Sequence, residues 1–241
     1  MDKHVIFDHL MDTFQYIGKL NNADVTTGQD SAVITKYPSP SFNVVRFDTK
    51  NHGIIDKLKD ENIPFICIPS KNMETEFETF VEGHDLVKAD FVTASHKNLE
   101  NLEYNANSNF QIRMVTNLDD LKEFDRISAV AFEHLEGLAF DFLKPVIANT
   151  EICLFVAYEK ELPAGCAIIS LVNKQAGLYW NGVLPEFRMR GVGTTLVEYR
   201  MNYAKEFGYQ DIISQNMTPS LNLYKRLGFE QVGGLPIYIQ L

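Results

Sequence analysis

Residues 188–195 read Arg188-Met189-Arg190-Gly191-Val192-Gly193-Thr194-Thr195, and they join the apolar run 178–184 to a periodic segment that ends at Phe207. An apolar run, a loop with two glycines and an amphipathic segment predict a strand, a tight loop and a helix. Glycine has no Cβ, so backbone N–H groups in such a loop can approach a ligand closely. The first turn of the helix adds unpaired N–H groups, and two arginines add positive charge. This chemistry is suited to binding a pyrophosphate.

Two common nucleotide-binding loops do not fit this sequence. The dinucleotide fingerprint needs a third glycine where Leu196 stands, and no Gly-Lys-Ser/Thr follows as a Walker loop requires. The pattern Arg188-x-x-Gly191-x-Gly193 instead resembles the acyl-CoA pyrophosphate loop of the GCN5-related N-acetyltransferase (GNAT) superfamily. Further along, 222–229 read Asn222-Leu223-Tyr224-Lys225-Arg226-Leu227-Gly228-Phe229, which resembles the Leu-Tyr-x-x-x-Gly-Phe signature of a later helix of that superfamily. The two motifs occur in the order and at the spacing of the family.

The predicted elements of residues 110–241 also follow this family. Periodicity indicates a strand, two helices, three strands with hairpin connections, and then helix, strand, helix and strand. Asn117 is a suitable N-cap for the first of these helices. We therefore expect an α/β fold with a mixed sheet, and the resemblance covers the whole second part of the chain.

The first part is predicted to be a separate domain. Residues 98–109 are rich in asparagine and poor in large apolar side chains, which indicates a linker between domains at 1–97 and 110–241. The order of elements in 42–94 matches that of 178–241, so we predict a tandem of a degenerate and a complete GNAT domain. Since Asp48 to Gly53 offers one glycine and no arginine, the first domain is not expected to bind CoA. An unrelated α/β cap domain is the alternative.

Composition limits the classes of function. The net charge of −10 argues against binding to nucleic acid. No apolar run is long enough to span a membrane and the first residues lack a signal-peptide pattern, so we expect a cytoplasmic protein without a membrane partner. The three cysteines lie in apolar runs and are expected to be buried thiols rather than metal ligands. Either a monomer or a homodimer fits the sequence.

The resemblance implies a reaction and its site residues. An amine would attack the thioester of acetyl-CoA directly, with no metal. Tyr224 is expected to protonate the departing thiolate, because a phenol can give a proton to a thiolate formed beside it. The backbone N–H of Val183 would bind the thioester oxygen. Asn216 follows the neighbouring predicted strand, where it would contact the acceptor or the pantetheine arm or else serve in a turn. The residues expected to hold the pyrophosphate are Arg188, Met189, Arg190, Gly191, Val192, Gly193 and Thr194.

The proton acceptor for the amine is less well defined. Glu133, Glu136 and His134 follow the first helix of the second domain, in the region that flanks the acceptor pocket in the family. Glu133 is our first candidate for the base, and a base that acts through water fits equally well. Tyr179 and Trp180 are adjacent on a predicted strand, so one of them should face the cleft and the other the core.

The acceptor itself is not defined by the sequence. A small amine, an amino acid, a peptide N-terminus and a protein lysine are all open. Two other functions compete with acetyl transfer. One is a non-catalytic acyl-CoA-binding regulatory or interaction module whose acceptor pocket is closed by the first domain, and the other is transfer of an aminoacyl or longer acyl group.

Overall fold

The computed structural model describes residues 1–27, 30–48, 53–104 and 109–240. The helices of these residues are α1 (Lys3–Leu20), α2 (Gly53–Asp60), α3 (Phe77–Glu82), α4 (Leu118–Phe132), α5 (Leu138–Leu143), α6 (Val192–Glu206) and α7 (Leu221–Arg226). The strands are β1 (Asp24–Thr26), β2 (Ser31–Ile34), β3 (Asn43–Phe47), β4 (Phe65–Pro69), β5 (Val87–Asn98), β6 (Gln111–Met114), β7 (Ile152–Glu159), β8 (Leu162–Ser170), β9 (Ala176–Val183), β10 (Asp211–Asn216) and β11 (Glu230–Gln240). None of the described helices is both long and apolar enough to cross a bilayer.

These strands form one mixed sheet in the order β1-β2-β3-β4-β11-β5-β10-β9-β8-β7-β6. Strand β3 runs parallel to β4 and β9 runs parallel to β10, whereas the other neighbours are antiparallel. The predicted α/β fold with a mixed sheet is confirmed, and β7, β8 and β9 form the predicted antiparallel meander. The predicted cap of α4 is also present, since the Asn117 side chain accepts hydrogen bonds from the N–H groups of Asp119 and Asp120.

The sheet contains an internal repeat with exchanged strands. We call residues 1–104 the first half and 109–240 the second half. Counting outward from the central β11–β5 pair, each side gives an antiparallel neighbour and a parallel pair, followed by β2 and β1 on one side and by β8, β7 and β6 on the other, all antiparallel. The last strand of each half lies beside the other half, because β11 pairs with β4 and β5 pairs with β10. The two halves therefore share a strand arrangement, to which the second half adds the outer strand β6, and each half completes the sheet of the other.

The predicted domain boundary falls inside this shared structure. Strand β5 continues to Asn98, which pairs with Asp211 of β10. Leu99 is 1% exposed, and its N–H donates to the carbonyl of Gln210 at 2.7 Å. Of the predicted linker, 105–108 lie outside the described residues. The chain between the halves thus remains part of the folded sheet until after Leu99.

The strand exchange leads to a prediction about truncation. Without the first half, β11 would lose both of its neighbours and β10 would lose β5. The backbone N–H and C=O groups of these strands would lose their hydrogen-bond partners, and their apolar side chains would be exposed to water. We expect residues 110–241 expressed alone to be insoluble or to unfold without a cooperative transition, and co-expression with 1–109 to give a soluble complex. A cooperative thermal transition of the isolated second half, followed by circular dichroism, would contradict this.

Candidate active site

The sheet opens between β9 and β10. The two strands pair only at Ala176 with Ile212, Gly177 with Ile213, and Leu178 with Ser214. Beyond this point β9 continues along β8, and β10 continues along β5. A V-shaped opening therefore lies between 179–183 of β9 and 215–216 of β10. The equivalent pair in the first half does not open, because Phe47 still pairs with Pro69 and its carbonyl accepts the N–H of Ser70 at 2.7 Å.

A bulge in β9 lies at the start of the opening. Trp180 has a φ of 54°, and the register with β8 shifts between Cys166 and Ile168. The alternation of side chains breaks at a bulge. Both Tyr179 and Trp180 pack against the core cluster beneath α1 and α4. The prediction that these two aromatic side chains lie on opposite faces is therefore wrong, because that prediction assumed a regular strand.

The glycine loop begins α6 beside this opening. Gly191 has a φ of 96°, in the left-handed region that favours glycine. The first helical bond joins the Thr195 N–H to the Gly191 carbonyl at 3.0 Å. The N–H groups of Val192, Gly193 and Thr194 precede this bond and therefore have no acceptor within the helix. The helix N-terminus presents these donors toward the cleft.

A cavity of about 700 Å³ lies between the loop, the open part of β9 and the start of α7. Seven of the residues predicted to bind CoA line it: Val183, Arg188, Met189, Gly191, Val192, Gly193 and Thr194. Asn181 and Leu223 line it as well. The structure thus brings most of the predicted CoA-binding residues together around one cavity.

Two residues from the same prediction are placed elsewhere. Arg190 forms an ion pair with Glu159, at 2.6 Å, and its guanidinium lies 5.3 Å from the Phe187 ring centroid. Asn216 is 1% exposed, accepts a hydrogen bond from Ser214 and donates one to Ser95, both at 2.9 Å. Neither side chain lines the cavity.

The N–H of Val183 points into the opening. The Leu184 N–H donates to the Ala164 carbonyl of β8 at 3.0 Å, and N–H directions alternate along a strand. The Val183 N–H and carbonyl therefore face away from β8. Consistent with this, the Val183 carbonyl accepts a hydrogen bond from Arg188 Nε at 3.2 Å. By the same alternation, the N–H of Asn181 faces the same side.

A fully buried arginine lies below the open part of β9. Arg200 of α6 is 0% exposed. Its Nε donates to the Leu196 carbonyl at 2.9 Å, and its Nη1 donates to the carbonyls of Ile168 and Tyr179 at 2.7 and 3.0 Å. Its Nη2 donates to Asn181 Oδ1 at 2.7 Å. Arg200 thereby ties α6 to the bulged segment of β9.

Tyr224 lies next to this arginine. It is 5% exposed in α7, its ring packs edge-on against Phe229 at 5.1 Å, and its hydroxyl interacts with the Arg200 guanidinium. Burial lowers the pKa of Arg200, and the interaction with Tyr224 opposes that shift. Tyr224 does not itself line the cavity, whereas Asn222 and Leu223 of the same helix do. Because Arg200 also binds Tyr179 and Asn181, the Tyr224 hydroxyl lies close to the narrow end of the opening.

The candidates for the base differ in their surroundings. Both ring nitrogens of His134 are engaged, Nε2 with Ser128 Oγ at 2.8 Å and Nδ1 with the Leu135 carbonyl at 2.9 Å. The Leu135 carbonyl can only accept, so Nδ1 carries the imidazole proton and Nε2 accepts from the Ser128 hydroxyl, whose oxygen accepts the Trp180 indole N–H at 2.6 Å. Glu133 ends α4 with a φ of 56° and is exposed, directly after Phe132, which lines the cavity.

The first half contacts both sides of the opening. His9 of α1 accepts a hydrogen bond from the Tyr179 hydroxyl at 2.7 Å, and Gln215 of β10 donates to the Ile6 carbonyl. Burial lowers the pKa of His9 and raises that of Tyr179. Phe42 packs on Trp180 with ring centroids 5.6 Å apart. The face of the sheet opposite α6 is thus covered in part by the first half.

A mixed sheet that opens between two parallel strands, with Arg-x-x-Gly-x-Gly at the start of the next helix, is the arrangement expected from the resemblance to the GCN5-related N-acetyltransferases. Residues 117–229 match the acetyltransferase (GNAT) family. An uncharacterized N-acetyltransferase of Methanocaldococcus jannaschii is 29% identical over 145 residues, which cover 53% of this chain and 64% of that protein.

Solved structures resemble the whole chain rather than the second half alone. A GCN5-related N-acetyltransferase from Kribbella flavida has a TM-score of 0.70 at 12% identity, with 95% of this chain and 93% of that chain covered. A tandem GNAT protein from the clavulanic acid biosynthesis pathway has a TM-score of 0.57 at 12% identity, with 90% of this chain and 81% of that chain covered. The tandem GNAT fold expected from the sequence is confirmed, and identities this low show the fold alone.

Proposed function

We propose that this protein transfers an acetyl group from acetyl-CoA to an amine by direct attack at the opening between β9 and β10. One arrangement carries the proposal: a single cavity has the glycine loop at one side and the open part of β9, tied by Arg200 to Tyr224, at the other. A CoA molecule held at the loop would extend its pantetheine arm along β9 and bring its thioester to Tyr224.

The anchor of acetyl-CoA is the start of α6. The N–H groups of Val192, Gly193 and Thr194 supply donors, and the helix dipole favours the negative charge of a pyrophosphate. Arg188 lines the same cavity and adds charge, whereas Arg190 is paired with Glu159. Binding energy at this remote end would hold the thioester in place for the reaction.

The thioester oxygen needs a donor that points at its developing charge. The N–H groups of Val183 and Asn181 both face the opening, as the strand alternation requires. Asn181 is the nearer of the two to Tyr224, because Arg200 contacts both. We therefore assign the thioester oxygen to the Asn181 N–H and the pantetheine arm to Val183, two residues along the strand.

Tyr224 would protonate the departing thiolate. Its hydroxyl would give its proton to the sulfur as the carbon–sulfur bond of the thioester breaks. The positive charge of Arg200 would also stabilise the phenolate that forms when the proton leaves. The amine acceptor enters from the face covered by α1 and Phe42, so the first half shapes the acceptor side.

Glu133 is the proposed base, and this gives a prediction. Replacing Glu133 with glutamine keeps the shape but removes the carboxylate, so we expect kcat at neutral pH to fall about tenfold or more. The matched control is Glu136→Gln, which removes an exposed carboxylate from the same loop and should leave kcat unchanged. Steady-state kinetics with saturating acetyl-CoA would measure both. An unchanged kcat in both variants would assign proton removal to water, and a loss confined to Glu136→Gln would make Glu136 the base.

A second function is favoured by one specific observation. Contacts from α1 to Tyr179 and Gln215 cover part of the acceptor face, which is what a non-catalytic acyl-CoA-binding module would require. A longer acyl donor stays a third possibility, since the cavity volume does not select the acyl group.

The test of the proposed function is release of thiol from acetyl-CoA, followed with a thiol reagent against a panel of small amines, amino acids and lysine peptides. Amine-dependent release that Tyr224→Phe suppresses supports catalysis. Binding of acetyl-CoA without release for any acceptor in the panel would favour the binding module.

A further inference from the structure

Asn181 is a polar side chain within the apolar run 178–184, and its amide has a defined orientation. Its Oδ1 accepts from Arg200 Nη2 at 2.7 Å. A guanidinium has donors only, so the amide atom that faces Arg200 must be the oxygen. The amide nitrogen is therefore directed away from Arg200.

That nitrogen faces the cavity. Asn181 lines the cavity together with Gly193 and Val183, and a Cβ placed on Gly193 would lie 3.5 Å from Asn181 Nδ2. Within the described part of the chain, Asn181 Nδ2 donates to no protein acceptor. The amide thus presents two N–H donors to the space between β9 and the start of α6.

We propose that the Asn181 side chain donates a hydrogen bond to a carbonyl oxygen of the pantetheine arm, and that Arg200 is the positioning residue that fixes this direction. The inference rests on the proposed function, because it needs CoA in this cavity. It adds a side-chain contact to the backbone contacts of β9. Arg200 is held in place by its bonds to the carbonyls of Leu196, Ile168 and Tyr179, so its Nη2 keeps the Asn181 oxygen directed away from the ligand.

Two substitutions separate this role from a structural one. Asn181→Asp removes the donors that face the cavity but keeps an acceptor for Arg200, whereas Asn181→Leu removes both and adds no charge. Calorimetric titration would use CoA and adenosine 3′,5′-bisphosphate, which carries the nucleotide end without the pantetheine arm. Thermal unfolding of each variant would report on the loss of the Arg200 contact.

We expect both variants to bind CoA about three- to tenfold more weakly, as for the loss of one neutral hydrogen bond, and to bind the bisphosphate as the wild type does. Only Asn181→Leu should unfold at a lower temperature. Unchanged CoA affinity in both variants would overturn the inference. So would a loss confined to Asn181→Asp, which would indicate charge repulsion, or an equal loss for the bisphosphate. Failure of the wild-type protein to bind CoA would instead contradict the proposed function itself.

Discussion

Replacing Gly191 with valine is expected to weaken CoA binding by at least about a hundredfold, the equivalent of losing two charge-assisted hydrogen bonds. Gly191 has a φ of 96° and lines the cavity, so a valine there is strained and places its side chain beside the N–H groups that would hold the pyrophosphate. The left-handed conformation costs a non-glycine residue about 1–2 kcal/mol. Calorimetric titration with CoA would measure the loss of affinity.

Gly137→Val is the matched control for this strain. Gly137 also precedes a helix and has a φ of 95°. A Cβ added at this position would meet no neighbouring side chain or backbone atom within 4 Å. Both variants should unfold at a similarly lowered temperature, but only Gly191→Val should bind CoA more weakly. Retained affinity in Gly191→Val, or equal loss in both variants, would contradict the assignment of the pyrophosphate to this loop.

Replacing Tyr224 with phenylalanine is expected to lower kcat about a hundredfold, within the range that general acids contribute. Only the hydroxyl is removed, and Arg200 keeps its four hydrogen bonds, so the fold should be preserved. The dissociation constant of acetyl-CoA should change by no more than about threefold. An effect on kcat without a matching effect on binding is the signature of an interaction made in the transition state.

Tyr203→Phe is the control for Tyr224→Phe. The Tyr203 hydroxyl lies 3.4 Å from Cys153 Sγ of β7, rather than beside β9 or the glycine loop. Its removal should leave kcat unchanged. Equal losses of kcat and of acetyl-CoA affinity in Tyr224→Phe would make Tyr224 a packing residue, and the acid would have to be a water molecule.

Local features of the second half could be predicted from the sequence. The strand, glycine loop and helix around Gly191 follow from backbone chemistry that neighbouring residues determine, and the structure shows them as expected. The N-cap at Asn117 is likewise determined by neighbouring residues, and it is present in the structure. In each case the residues that decide the conformation are adjacent in the chain.

Features that depend on distant residues could not be predicted in this way. Periodicity does not reveal which strands pair, so the exchange of β5 and β11 was missed and the boundary was placed at residue 97, within β5. The bulge at Trp180 was missed because a period of two assumes a regular strand. Arg190 turns to Glu159, a partner 31 residues earlier, which no local pattern indicates.

Arg200 and Asn181 were also missed, although the sequence contains a signal for each. Arg200 lies four residues after Leu196 and four before Ala204, both of which are fully buried, so its position on α6 belongs to the apolar face. Charged residues are usually assigned to the surface, and only the four hydrogen bonds of Arg200 explain its burial. Asn181 is a polar residue in an apolar strand, and such a position indicates that its side chain binds a buried partner or a ligand.

The most direct measurement is a calorimetric titration of the wild-type protein with acetyl-CoA, in parallel with free CoA, desulfo-CoA and ATP. The site described above predicts that the three CoA compounds bind at one site per chain and that ATP does not, because the loop lacks the Walker lysine and the cavity continues along β9. Absence of binding for all the CoA compounds would contradict the account and would leave the glycine loop without a ligand.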